Sequence, residues 1–237
     1  MPHPLTGKVA IVTGAGHGTG ATIARALAAA GARVAVNDIN PDRAESVAAT
    51  IQNAGGEALA LDADVSNKFH CVKLIEATRA RWAQLDILVN SAHVVPQSTI
   101  LKMDEWDWNR CLDVNLKGVF FMSQLAGRVM ADENHERGGY IVNIASAAGL
   151  ELPWEQRAAY GASQAGVAGF ARECAREYAA YGIRVNTVLR GLPTPEPAPD
   201  LRREEREAVA ALVVTLCSRP GRFASGAVIP AAEGLAR

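Results

Sequence analysis

The chain has 237 residues, with 24 Lys and Arg against 25 Asp and Glu and a formal net charge of −1. A balance so close to zero gives no general pull toward nucleic acid or an acidic membrane surface. At 49% hydrophobic and 21% charged, the chain has apolar material for a sizeable core and too little charge for a disordered polymer. No apolar run approaches the roughly 18 residues of a membrane-crossing helix. Residues Met1 to Lys8 contain no apolar stretch of the kind a secretion signal needs. The expected setting is the cytoplasm, with neither membrane nor nucleic acid as a partner. Cysteines lie far apart at 71, 111, 174 and 217, without a C-x-x-C pair or a His at ligand spacing. They read as small buried or half-buried thiols in a reducing cytoplasm, so no metal site is expected.

Taken in chain order, short apolar runs alternate with longer helical ones. Val9 to Thr13 is a strand, followed by a glycine cluster and an alanine-rich helix over 21–30 that stops at Gly31. Arg33 to Asp38 is a second strand, and Asn40-Pro41 supplies an N-cap and a first-turn proline for the helix that stops at Gly55-Gly56. Glu57 to Leu61 is a weaker strand, and Ser66 is read as the cap of a helix reaching Trp82. Leu85 to Asn90 is a fourth strand. Two helices are expected over 104–114 and 116–131, a fifth strand over Tyr140 to Ala145, and a long helix over 159–181. Ile183 to Leu189 is a sixth strand, charged residues 202–207 open a further helix, and Ala227 to Pro230 form a short last strand. Such alternation means parallel strands joined by crossover helices. With no linker or repeat, one doubly wound (Rossmann-type) α/β domain over 1–237 is expected, helices on both faces of a single parallel sheet.

The glycine cluster, Thr13-Gly14-Ala15-Gly16-His17-Gly18-Thr19-Gly20, lies between the first strand and the first helix. Glycine lets backbone approach a bulky anion, and the helix N-terminus offers unpaired N–H groups to a pyrophosphate. Asp38 ends the second strand, 20 residues after Gly18. A carboxylate there accepts ribose hydroxyls and repels a 2′-phosphate, which favours NAD over NADP. The plain alternative is a glycine-rich turn with a solvated Asp. His17 is a weakly basic neighbour that argues slightly the other way and is ordinarily a surface residue.

The pattern T-G-x-x-x-G-x-G resembles the short-chain dehydrogenase/reductase family, and the resemblance runs from Thr6-Gly7-Lys8 to Gly226. It implies cofactor contacts from Gly14, His17, Gly18, Thr19, Gly20 and Asp38, and from Asp64-Val65 after the third strand. It further implies contacts from Asn90 and Ala92 in the turn after the fourth strand, and from Gly191 after the sixth. It implies a catalytic serine at Ser146, a catalytic tyrosine at Tyr160 and a helix asparagine at Asn115. The activity implied is hydride transfer between a nicotinamide cofactor and a small-molecule carbonyl or secondary alcohol, in a homodimer or homotetramer.

Three positions depart from the resembled pattern. Gln164 stands one helical turn after Tyr160, where the family carries a lysine. An amide can hydrogen-bond a ribose hydroxyl but brings no charge to the phenol. His93 stands where the turn has glycine, and Arg190 precedes Gly191 where the family has proline. Either side chain could in principle restore a cation. The ordinary reading has His93 as a turn residue and Arg190 as a partly exposed charge, neither aimed at Tyr160. Impaired or atypical activity is therefore expected. The alternative is a catalytically incomplete nucleotide-binding subunit that pairs with a complete homologue.

Residues 192–199 hold four prolines, too stiff for a helical lid, so a shortened lid near 192–201 is expected. Trp154 alone among the four tryptophans has a position suited to substrate contact, with core packing as the ordinary alternative. The helices over 104–131 and 159–181 are expected to expose small and apolar residues, including Gly166, Ala168 and Gly169, and the family resemblance implies that these helices form subunit contacts.

Overall fold

The apolar strand segments assemble a seven-stranded parallel sheet in a computed structural model, which describes residues 3–148, 150, 154–191, 199–219 and 221–231. Its strands are β1 (Val9–Val12), β2 (Arg33–Asp38), β3 (Ala58–Asp62), β4 (Ile87–Asn90), β5 (Gly139–Ser146), β6 (Ile183–Arg190) and β7 (Val228–Pro230). The helices are α1 (Gly18–Ala29), α2 (Pro41–Asn53), α3 (Lys68–Trp82), α4 (Glu105–Leu112), α5 (Gly118–Glu133), α6 (Ala158–Tyr178) and α7 (Pro199–Ser218). The sheet order is β3-β2-β1-β4-β5-β6-β7.

Alternation along β1 explains the two cores. Ala10 and Val12 face one side and pack with Leu27 of α1, Val47 of α2 and Val213 of α7. Val9 and Ile11 face the other and pack with Leu74 of α3, Met122 of α5 and Ala171 of α6. Covering both faces makes every residue of β1 and β4 buried, which is why these strands read as unbroken apolar runs. The strand order reverses between β1 and β4. A crevice opens there, beyond the carboxyl ends of the strands.

Local sequence rules hold at several helix ends. Asn40 Oδ1 accepts from Arg43 N at 3.2 Å, with Pro41 in the first turn. At α3 the expected cap is corrected: Asn67, not Ser66, accepts from Phe69 N at 2.9 Å and His70 N. Ser66 instead donates its hydroxyl to Asp64 Oδ1 at 2.7 Å. The two helices expected over 104–131 are joined by a π-helical turn, Asp113–Lys117, rather than by a break at 115. Helix α1 begins at Gly18, three residues before the alanine run, with extended His17 ahead of it.

The expected face of small and apolar residues is corrected in part. Ala168 is buried, and a Cβ at Gly166 would meet Leu116 of the π-helical turn at 2.8 Å, whereas Gly169 has open space before it. Trp106, Trp108 and Phe120 are exposed apolar residues on α4 and α5. All four cysteines are buried free thiols; burial pushes Cys71 and Cys217 up to about 12, and Cys111 and Cys174 up to about 11. No helix among the described residues is long and apolar enough to cross a membrane. The proline-rich stretch of the expected lid, 192–198, lies outside the described residues.

Candidate active site

A cleft of roughly 420 Å³ occupies the crevice at the strand-order reversal. Gly14, His17, Gly18, Thr19 and Gly20 line one wall; Asp38, Asp64, Val65 and Ala92 line others. Nine of the expected cofactor contacts therefore share one cleft. Asn90, Gln164 and Gly191 do not line it. Asn90 turns inward, where its amide donates to Asn143 Oδ1 at 2.8 Å and to Ser123 Oγ at 3.1 Å.

The glycine pattern has a steric reason here. Gly14 has φ +60°, and a Cβ would lie 2.6 Å from Ala92 Cα; a Cβ on Gly20 would run into the Gly14 carbonyl. Gly18, at φ +57°, has open space before it. Loop, helix N-terminus and open space together fit a pyrophosphate. Asp38 is held by two backbone donors, Gly16 N to Oδ2 and Asn40 N to Oδ1, each 3.0 Å. His17 is largely exposed, with Nδ1 3.9 Å from Asp38 Oδ2. Arg43, Arg110, Arg190, Arg202 and Arg206 also line the cleft, against the acids Asp38, Asp64 and Glu205. That balance suits an anionic ligand.

The turn after β4 is fixed at two points. Thr13 Oγ1 accepts from Ser91 N at 3.0 Å and Ala92 N at 3.3 Å. Asn115, on the π-helical turn, accepts from Val94 N at 2.8 Å and donates to Val94 O at 2.9 Å. Between these anchors, His93 Nδ1 bonds the Ser91 carbonyl at 2.9 Å. That contact puts the ring proton on Nδ1 and leaves Nε2 as an acceptor. The imidazole is lowered from its usual range by the surrounding protein and by the Arg190 guanidinium. The ring also opens to the cleft, and His93 is neutral at pH 7.

Tyr160 lies in the first turn of α6 and is completely buried. Trp154 packs edge-on against it at 5.7 Å, and Arg157 stacks over Trp154 at 4.8 Å. Ser146 ends β5, also buried; its Oγ accepts from Ala148 N at 3.2 Å and donates to Gly191 O at 3.4 Å. Gln164 does not face the cleft. Its Oε1 accepts from Ser146 N at 2.9 Å, and its Nε2 donates to Ser163 Oγ at 3.3 Å.

Arg190 overturns the expectation that neither cationic candidate is aimed at Tyr160. Its Nη2 donates to the Tyr160 hydroxyl at 3.0 Å and meets His93 Nε2 at 2.9 Å. The strand register makes this possible: Arg190 of β6 is paired with Ser146 of β5, and Ala147 N donates to Arg190 O at 3.1 Å. Neighbouring parallel strands end together at the crevice, and that convergence is the signal from which Arg190 could have been placed in the site.

The pattern of residues 8–206 matches the family model described as short chain dehydrogenase. The chain belongs to the short-chain dehydrogenase family. It is 37% identical over 201 residues to a 3-oxoacyl-[acyl-carrier-protein] reductase of Synechocystis, covering 84% of this chain and 80% of that protein. It is 40% identical over 184 residues to a D-threitol dehydrogenase of Mycolicibacterium smegmatis, covering 78% and 69%. Among solved structures, a putative short-chain alcohol dehydrogenase from Sinorhizobium meliloti superposes with a TM-score of 0.88 at 34% identity, covering 99% of this chain and 98% of that one. These short-chain dehydrogenase relatives are oxidoreductases, and so is the class of this chain.

Proposed function

We propose that this chain is an NAD-preferring oxidoreductase that moves a hydride between a nicotinamide cofactor and a carbonyl or secondary alcohol. The observation that carries the reading is the continuity of the cleft. It runs from Asp38 and the glycine loop to Arg190, whose guanidinium touches the Tyr160 hydroxyl. A module that only stored a nucleotide would need no phenol at the far end. The bound cofactor would supply or accept the hydride. In reduction the carbonyl carbon gains the hydride, Tyr160 gives its hydroxyl proton to the oxygen, and solvent returns a proton to the phenol. Ser146 orients the substrate oxygen, which requires its weak 3.4 Å bond to Gly191 O to be exchanged. Asn115 holds the Val94 turn. The nine cleft residues named above hold the nucleotide, with Asp38 on the ribose hydroxyls. We place the working form as a homodimer or homotetramer in the cytoplasm, with exposed Trp106, Trp108 and Phe120 available for subunit contacts.

The second reading, a nucleotide-binding subunit without chemistry of its own, is favoured by one observation. Ser146 and Tyr160 are fully buried and do not line the cleft. A fluorescence titration with NADH and NADPH, followed by turnover on a carbonyl panel, separates the two. Turnover that Tyr160→Phe abolishes supports the enzyme; binding without turnover supports the subunit. Asp38→Ala should weaken NADH more than NADPH, since it removes a ribose acceptor and a charge that repels the 2′-phosphate. Equal losses for the two cofactors would refute the NAD assignment.

A further inference from the structure

We propose that Arg190 is a catalytic residue: it supplies from the end of β6 the positive charge that acts on Tyr160, and His93 positions it. This rests on the enzyme reading above. The contact is directional. A guanidinium has only donors, so in the Arg190–Tyr160 bond the phenolic oxygen is the acceptor. The phenol's own proton is then free to go to a substrate oxygen. A general acid needs both features at once, a proton available for transfer and stabilisation of the negative charge left behind.

His93 completes the arrangement. Its Nδ1 bond to Ser91 O leaves Nε2 as an acceptor for the same Arg190 nitrogen. The two N–H bonds of Nη2 are thus used on His93 and Tyr160, which fixes the guanidinium plane. Its backbone is fixed by the β5–β6 ladder. The turn carrying His93 is held by Thr13 on one side and Asn115 on the other. Gln164 is the third part. Its amide joins Ser146 N to Ser163 Oγ, a neutral brace that adds no second cation. Among the described residues, the charged and titratable groups facing Tyr160 are Arg190 from β6, His93 from the turn after β4, Cys111 of α4 in the same apolar cluster, and Arg157 beyond the Trp154 ring. Arg190 alone of these puts a positive charge on the hydroxyl.

The test compares wild type with Arg190→Gln, Arg190→Lys, Arg190→Ala and His93→Gln. For a carbonyl substrate with NADH at pH 7, Arg190→Gln should lower kcat by about 100-fold, the scale for removing one preorganised donor. At saturating NADH the carbonyl KM should change less than kcat does, which places the loss in the chemical step. Arg190→Lys should recover part of the loss, and added guanidinium ion should recover part of it in Arg190→Ala. His93→Gln should fall between wild type and Arg190→Gln. A second measurement does not depend on turnover. In protein carrying carbon-13 at the tyrosine ζ carbon, the resonance that Tyr160→Phe removes should move in Arg190→Gln at pH 7, because the phenolic oxygen loses its guanidinium donor. An unmoved resonance, or kcat within twofold of wild type in Arg190→Gln, overturns the proposal. If wild type turns over no substrate, the enzyme reading fails, and the resonance still decides whether Arg190 acts on Tyr160. If Arg190→Gln does not fold, Arg190→Lys and His93→Gln carry the same comparisons.

Discussion

Replacing Gln164 by lysine would restore the residue that the resembled family carries one turn after its tyrosine, and here it should harm the protein. Gln164 is 3% exposed, and its Oε1 is the acceptor for Ser146 N at 2.9 Å. Lysine has no acceptor, so the buried Ser146 N–H is left unpaired at a cost of about 1–3 kcal/mol. At about 2–4 °C per kcal/mol for a domain of this size, the melting temperature should fall by about 2–12 °C. An ammonium carried into that buried position adds to the loss. Gln164→Met separates the two effects, because it removes the acceptor without adding a charge, and should fall less than Gln164→Lys. Calorimetric melting of the three proteins gives the stability, and steady-state reduction with NADH gives kcat in parallel. With Arg190 in place, kcat should not rise in Gln164→Lys. A variant that melts with wild type, or one whose kcat rises tenfold, would refute the reasoning and make Gln164 a simple lesion in an otherwise standard site.

Gly20→Ala should lose both stability and nucleotide affinity, since its Cβ would collide with the Gly14 carbonyl and push the loop away from Ala92; undiminished NADH binding in a fluorescence titration would contradict this. The lowered imidazole of His93 also gives stability a sign against pH. Below its ordinary value of about 6.5 the unfolded chain binds a proton that the native chain does not, so stability falls as pH falls. His93→Gln should therefore show a shallower fall between about pH 6.5 and 5, above the range where ordinary carboxylates titrate. Equal slopes in urea unfolding would remove His93 from that account.

The fold was legible because its signals are local. The apolar run at Val9, the glycine loop, Asn40-Pro41 and Asp38 each state their role within a few residues, and each lies where its pattern implies. Errors fell where tertiary packing decides. Ala168 has the composition of an exposed small-residue face, yet α6 is covered there. The helices expected over 104–114 and 116–131 left a gap at 115, yet the double bond of Asn115 to Val94 is served by a π-helical turn that keeps the helix continuous. Ser66 satisfied the rule for a cap, but Asp64 captured its hydroxyl and Asn67 took the role.

The largest miss shows why the site was harder to read than the fold. Arg190 is 30 residues from Tyr160 and 97 from His93, so no spacing rule joins them. Their meeting follows from the register that sets Arg190 beside Ser146 and from the turn that Thr13 and Asn115 pin. Taken one at a time, Gln164, His93 and Arg190 each read as a loss from a standard site. In three dimensions two of them form one contact chain that ends on the Tyr160 hydroxyl, and the third braces the strand end beside it. Independent changes give no reason for a guanidinium to meet the Tyr160 hydroxyl with an imidazole acceptor holding it there. The proposed supply of the cation from the strand end accounts for all three residues together, and it requires that a lysine placed at 164 disturbs the site instead of improving it.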